Sequence, residues 1–262
     1  MAGGIECGAH TDIGQRDVNE DRFVCASPCF VVADGMGGHA AGDVASGLAA
    51  EALQQLAGRG DLTVADVSAA IERANAAIVA ASQADITLAG MGTTLCGLVS
   101  VTVGGEDHWM VFNVGDSRLY RLADGMLAQV TVDHSEAEEM VERGRISRRQ
   151  ARSYSRRHIV TRALGIEPVP TVDSWLFPPQ QGERFVLCSD GLSGELDDEV
   201  IAAIANSLSD PAEAARGLVD AAIAAGGSDN VTVVVVDSAL REAGVDETTV
   251  PRPPATSGAA GG

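Results

Sequence analysis

The sequence predicts an α+β fold in which antiparallel sheets are layered against pairs of helices. Strand-like and helix-like segments follow the order strands, two helices, many strands, two helices, strand. The βαβ repetition that builds a parallel sheet is missing from that order. Apolar residues make up 45% of the 262 positions, ample for a sizeable core.

The elements follow in chain order. Phe30-Val31-Val32-Ala33 is an early strand-like run. Apolar residues at helical spacing predict a helix over Gly42 to Ala57 (Leu48, Ala52, Leu53, Leu56) and another over Val64 to Ala84 (Val67, Ile71, Ala74, Ile78). Gly58-Arg59-Gly60-Asp61 between them is a turn and cap signal, so the helices should form an adjacent antiparallel pair. From Thr93 to Val132 the texture becomes β-rich: Thr94 to Val103, His108 to Val114, Leu119 to Leu122 and Leu127 to Val130. Gly104-Gly105-Glu106-Asp107 and Ala123-Asp124-Gly125 are hairpin turns, which predicts an antiparallel meander. A strand over Arg184 to Cys188, helices near Asp197 to Ser207 and Pro211 to Ala225, and a strand over Val231 to Val236 complete the domain.

Two stretches stand outside this pattern. Residues 134–165 hold eight of the eighteen arginines and few apolar residues, with a short helical pattern over Ala137 to Glu142. They cannot bury much area and read as an inserted flap. Residues 241–262, with Pro251-Arg252-Pro253-Pro254 and a Gly/Ala end, read as a disordered tail.

Composition narrows the function. A formal charge of −19 opposes a generic polyanion-binding surface, so neither nucleic acid nor an anionic membrane is expected as a partner. Bound dications would reverse the local sign, so a phosphorylated substrate stays open. All 18 basic residues are arginine, which removes every lysine mechanism. Cys7, Cys25, Cys29, Cys96 and Cys188 lack zinc-site spacing and read as small apolar fillers in a reducing compartment. The N-terminus has no basic-then-apolar pattern and no run of about 18 apolar residues follows, which predicts a soluble cytoplasmic chain.

Chemistry concentrates at four aspartates beside strand-like runs: Asp34 before Gly35, Asp116 after Gly115, Asp190 before Gly191 and Asp229 ahead of Val231 to Val236. Carboxylates at strand ends, beside glycines that admit close backbone, suit hard cations and point to metal-assisted hydrolysis. Gly35-Met36-Gly37-Gly38 lacks the Lys-Ser/Thr of a nucleotide loop, and Ser117, Ser189 and Ser228 lack a His/Asp pattern for a nucleophilic triad.

Six markers occur in a fixed order: Gly14-Gln15-Arg16-Asp17-Val18-Asn19-Glu20-Asp21, Asp34-Gly35-Met36-Gly37-Gly38-His39, Gly90-Met91-Gly92-Thr93-Thr94, Val114-Gly115-Asp116-Ser117-Arg118, Ser189-Asp190-Gly191-Leu192 and Asp229-Asn230-Val231-Thr232. Together they resemble the metal-dependent protein serine/threonine phosphatases of the PP2C (PPM) family in their compact bacterial form. The resemblance implies a four-layer αββα sandwich over residues 5–238, two antiparallel sheets flanked by helix pairs, with residues 134–165 as the flap. It implies two core Mn²⁺ or Mg²⁺ ions and a weaker third. Asp34 would bridge the core pair and the Gly35 carbonyl would complete one shell, while Asp190 and Asp229 hold the other ion and Glu20 acts on the first. Asp116 would serve the third ion together with Asp190. A water shared by two dications would supply hydroxide at neutral pH, and Arg16 would fork onto two phosphoryl oxygens. Asp21, His39 and Asn230 would support the site; for Asp21 a metal role and a structural one stand open, and Asn230 should orient Asp229.

The implied function is removal of phosphate from phosphoserine and phosphothreonine in proteins, opposing a cognate serine/threonine kinase, by a monomer. A dinuclear metal phosphodiesterase or small-molecule phosphatase is the rival enzyme. It should bring histidine ligands, and along the sequence only His39 is near an aspartate patch. A catalytically weak phosphoprotein-binding module is the rival without chemistry. Two departures from the family pattern stand out: Met36 occupies the place of a proton-donating histidine in eukaryotic members, and Tyr154-Ser155 replaces a common His-Pro pair in the flap. The arginine-rich flap is also a candidate for binding acidic or phosphorylated partners.

Overall fold

The computed structural model describes residues 4–37 and 41–238. The first sheet runs β1 (Ile5–Asp12), β11 (Val231–Ser238), β10 (Glu183–Cys188), β7 (Arg118–Ala123) and β8 (Met126–Gln129). The second runs β2 (Asp21–Ala26), β3 (Cys29–Met36), β5 (Leu95–Val103), β6 (Glu106–Val114) and β9 (Asp173–Phe177), with β4 (Gly92–Thr93) paired to β3. Neighbouring strands are antiparallel in both sheets. Helices α1 (Ala41–Gln54) and α2 (Val64–Ala84) cover the second sheet, and α6 (Asp198–Ser207) and α7 (Pro211–Ala225) cover the first. This is the αββα sandwich expected.

Period-two alternation on buried strands separates the layers. Along β3, Val31 and Ala33 pack under α1 and α2, while Phe30 and Val32 enter the layer between the sheets. Along β11, Val231, Val233 and Val235 pack under α6 and α7, while Val234 and Val236 meet Phe30 and Val32 in the middle. Both faces of these strands are therefore apolar, which is why they read as unbroken hydrophobic runs. Local caps set the helix starts. Thr63 and Asp66 form a reciprocal capping box on α2, and Asp210 accepts from the amides of Ala212 and Glu213 ahead of α7.

The predicted meander does not form. β5 and β6 make a hairpin in the second sheet, and β7 and β8 make another in the first. Residues 115–117 step between the sheets, with Gly115 at φ +107. The edge of β6 that a meander would use is taken by β9, whose Trp175 and Phe177 pack against the inter-sheet core. That strand escapes a pattern search because it is short, half-exposed and followed by Pro178-Pro179.

The flap leaves and returns at fixed points. Ser135 bridges Val160, and Leu164 exchanges backbone hydrogen bonds with Thr93. Between them lie α3 (Glu136–Glu142) and α4 (Arg148–Ala151). Among the described residues no helix is long and apolar enough to cross a membrane. The predicted C-terminal tail lies outside the described residues.

Candidate metal centre

Antiparallel pairing brings the acidic markers to one end of the sandwich. Asp34 and Gly35 lie just before the end of β3, Asp21 begins β2 with Glu20 immediately before it, and Asp21 pairs with Asp34 across the two strands. From the other sheet, Asp190 follows β10 as the first residue of α5 (Asp190–Ser193), and Asp229 precedes β11. Asp116 sits on the step between β6 and β7.

The carboxylates at the centre of the cluster have no arginine partner among the described residues. Desolvation, then the charges of Asp21, Asp190, Asp116 and Asp229, hold the Asp34 carboxyl well above the usual carboxylate range. Desolvation, then Asp190 and Asp133, raise Asp116 in the same way. Asp21 is pushed up to about 7, chiefly by burial; a Ser189 hydroxyl donating to Oδ2 at 2.7 Å opposes the shift. Its Oδ1 is buried without a partner. Among the described residues no hydrogen-bond donor reaches the side chains of Asp34 and Asp190. No three His, Cys, Asp or Glu side chains of the described residues close around a common point. An all-oxygen set in which Asp34 and Asp190 lack protein donors and the carboxylates repel one another fits divalent cations, which would supply the missing positive charge.

Backbone packing fixes these groups. A Cβ on Gly35 would lie 2.0 Å from the Gly42 carbonyl oxygen and 2.7 Å from that of Glu20, so β3, α1 and the Glu20 loop meet only because residue 35 has no side chain. The Gly42 amide donates to Glu20 Oε1 at 3.2 Å, and Ser46 Oγ donates to the Glu20 carbonyl at 2.5 Å. Thr94 holds Asp34 from the other side: its hydroxyl accepts from the Asp34 amide at 2.9 Å and its own amide donates to the Asp34 carbonyl at 2.9 Å. Gly42, Ser46 and the task of Thr94 escape a sequence reading, since each is defined by a partner distant in the chain.

Arg16 lies at the rim. Its Nη2 is 2.7 Å from Asp229 Oδ2, so in this structure it neutralises a candidate ligand instead of standing free. Asn230 staples the loop that carries Arg16: Nδ2 donates to the Ile13 and Val18 carbonyls, and Oδ1 accepts from the Glu20 amide. Only the Asn230 backbone amide touches Asp229, at 2.8 Å. Ser117 bonds Thr94, Ser189 bonds Asp21 and Ser228 bonds Glu195, so all three serines act as supports. His39 lies outside the described residues.

Histidine proximity is corrected by the fold. His158 of the flap brings Nδ1 to 3.8 Å from Asp190 Oδ2. His134, at the flap root, accepts the Gly115 amide on Nδ1 at 3.0 Å and is backed by Asp173 at Nε2, 3.2 Å away. It thereby anchors the turn before Asp116. Both histidines are far from the aspartates they approach along the chain, which hid them.

The flap and the α5–α6 segment enclose a cleft of about 490 Å³ that reaches Asp116 and Asp190. Five flap arginines are already paired: Arg143 with Glu139, Arg148 with Glu138, Arg152 with Asp197, Arg156 with Glu136 and Arg162 with Asp173. Arg149 and Arg157 line the cleft without a carboxylate within ion-pair distance among the described residues.

A family model described as Protein phosphatase 2C matches residues 11–225. The serine/threonine protein phosphatase PstP of Mycobacterium tuberculosis (strain ATCC 25618 / H37Rv) is 42% identical over 223 residues, 84% of this chain but 42% of that protein. This chain thus spans less than half the length of that curated relative. The serine/threonine phosphatase stp of Listeria monocytogenes serotype 4b (strain F2365) is 36% identical over 225 residues, 84% of this chain and 88% of that protein. Among solved structures, the catalytic domain of PstP in complex with two manganese ions superposes with a TM-score of 0.80 at 38% identity, covering 90% of this chain and 99% of that one.

Proposed function

This chain belongs to the protein phosphatase 2C family, and from that membership we propose that it is a divalent-metal-dependent phosphatase acting on phosphoserine and phosphothreonine in proteins. The observation that carries the reading is the meeting of Asp34 from one sheet with Asp190 and Asp229 from the other at a single mouth, where only Asp229 has an arginine partner.

Asp34, Asp190 and Asp229 would hold two core ions, with Glu20 and the Gly35 carbonyl completing their shells; Asp116 with Asp190 would hold a weaker third. Mn²⁺ and Mg²⁺ both suit these oxygens. Bound dications lower the pKa of a shared water and so supply the attacking oxygen near neutral pH. The protein's own residues then hold and orient the substrate. Arg16, on a loop pinned by Asn230, would turn its planar fork from Asp229 to phosphoryl oxygens. The cleft beside Asp190 admits the flanking peptide, and Arg149 and Arg157 favour an acidic residue next to the phosphorylated one. Arg148, beside them in the flap, is occupied by Glu138. Such an enzyme would oppose a serine/threonine kinase in the cytoplasm and act as a monomer.

Purified protein should hydrolyse an aryl phosphate and a phosphothreonine peptide with Mn²⁺, and lose both activities with chelator or in Asp190→Asn. Activity that survives both treatments rules the reading out. Arg149→Glu with Arg157→Glu should slow an acidic phosphopeptide several-fold and spare the aryl phosphate; equal losses on both would remove the acidic-substrate preference. Because Met36 cannot donate a proton, aryl phosphates with poorer leaving groups should turn over disproportionately slowly, and a flat dependence on leaving-group pKa would show that a donor is present.

A further inference from the structure

Two thiols face each other across the seam between the sheets. Cys7 is on β1, an edge of the first sheet, and Cys25 is on β2, an edge of the second. Their Sγ atoms are 2.7 Å apart, and Cys7 Sγ also points at the Cys25 carbonyl at 3.5 Å. A disulfide needs about 2.05 Å between sulfurs, so closing this pair takes a movement of well under 1 Å. Both cysteines are half-buried and within reach of a small solute, whereas Cys29, Cys96 and Cys188 are wholly enclosed. The pair lies toward the far end of β2 from Asp21, away from the carboxylate mouth.

We propose that Cys7 and Cys25 form an oxidative cross-link site, a disulfide made by a small hydroperoxide that clips the two sheets together at their shared edge. One thiolate attacks a peroxide oxygen, breaks the O–O bond and becomes a sulfenic acid with release of water. The second thiol attacks that sulfur and expels a second water, so two thiols lose two hydrogens and one hydrogen peroxide is reduced to two waters. Burial, then the hydrogen bond to Cys7, holds the Cys25 thiol well above the usual thiol range. Attack led by Cys25 therefore speeds as the medium becomes alkaline. The clip ties the sheet bearing Asp34 to the sheet bearing Asp190 and Asp229, and its formation does not depend on the proposed activity.

The freshly reduced chain is treated with hydrogen peroxide, alkylated, and mapped by tryptic mass spectrometry. The expected product joins the residue 1–16 peptide to the residue 23–59 peptide, with fragmentation assigning the bond to Cys25 and not Cys29. Mild reductant should restore both alkylatable thiols. The oxidised chain should melt on the order of 5 °C above the reduced one, because the cross-link restricts the unfolded chain. Cys7→Ser and, separately, Cys25→Ser should abolish both the linked peptide and the rise in Tm. Independent sulfinic acids on the two residues, a bond to Cys29, or unreacted thiols would overturn the proposal.

Discussion

At the strand ends, Asp34 and Asp190 face other carboxylates with no hydrogen-bond donor among the described residues, whereas in the flap Arg143, Arg148, Arg152, Arg156 and Arg162 each close on a carboxylate. By composition the flap is the conspicuous charge cluster, with eight arginines in an acidic protein. Its pairing neutralises most of that charge locally. The mouth looks modest in sequence, one aspartate at a time, yet it holds the unbalanced field. Charge density along a chain thus says little about the field a ligand meets. What matters is whether the fold supplies the opposite charge, and a site that withholds it keeps binding energy for a cation.

The largest expected effect breaks the mouth. Asp34→Asn should lower kcat/KM on a phosphothreonine peptide by roughly a thousandfold or more, as loss of a carboxylate that would hold the core ions should. The same change should raise Tm in chelator, because it removes a carboxylate held far above its ordinary pKa. A metal-free Tm that falls instead would show that Asp34 is paired.

The pH dependence sharpens the same contrast. Asp21 titrates near 3.8 when unfolded and near 7 when folded, and Asp34 and Asp116 shift in the same direction. Between those values the folded state binds more protons, so stability is full below the unfolded pKa and is lost as pH rises through the folded one. Chelated protein should lose on the order of 2 kcal/mol between pH 5 and pH 8, read from urea midpoints. Mn²⁺ should raise Tm more at pH 8 than at pH 5. A chelated protein equally stable at both pH values would contradict the shifts.

Arg16→Ala is the intermediate case, because Arg16 lies at the rim and is paired with Asp229. It should cost about tenfold to a hundredfold in kcat/KM on aryl phosphate while leaving Tm nearly unchanged. The smallest effect belongs to the flap. Arg143→Ala removes an exposed i,i+4 pair with Glu139 and should cost less than about 0.5 kcal/mol, with turnover unaltered. A larger loss would mean that the flap pairs act as a network.

Legibility followed the range of the forces involved. Helix α2 was predicted to its residue limits, because helical spacing and the Gly58-Arg59-Gly60-Asp61 turn signal are local. The apolar runs of β10 and β11 were equally plain. Strand β9 was not, since its pairing with β6 is long-range and half of it is exposed. At the site, the identities of Asp34, Asp190 and Asp229 were legible as strand-end aspartates. The hold of Gly42 on Glu20, the approach of His158 to Asp190 and the capture of Arg16 by Asp229 were not, because each joins segments at least 22 positions apart.

By itself the sequence determined the layers, the family and the identity of the acidic groups, since periodicity, turn chemistry and ordered motifs are written in neighbouring residues. Only the tertiary structure decided that β5–β6 and β7–β8 lie in different sheets, that Arg149 and Arg157 line the cleft without a carboxylate partner among the described residues, and that Cys7 meets Cys25. Those outcomes depend on which surfaces come within a few ångströms of one another, and desolvation and ion pairing act only at that range.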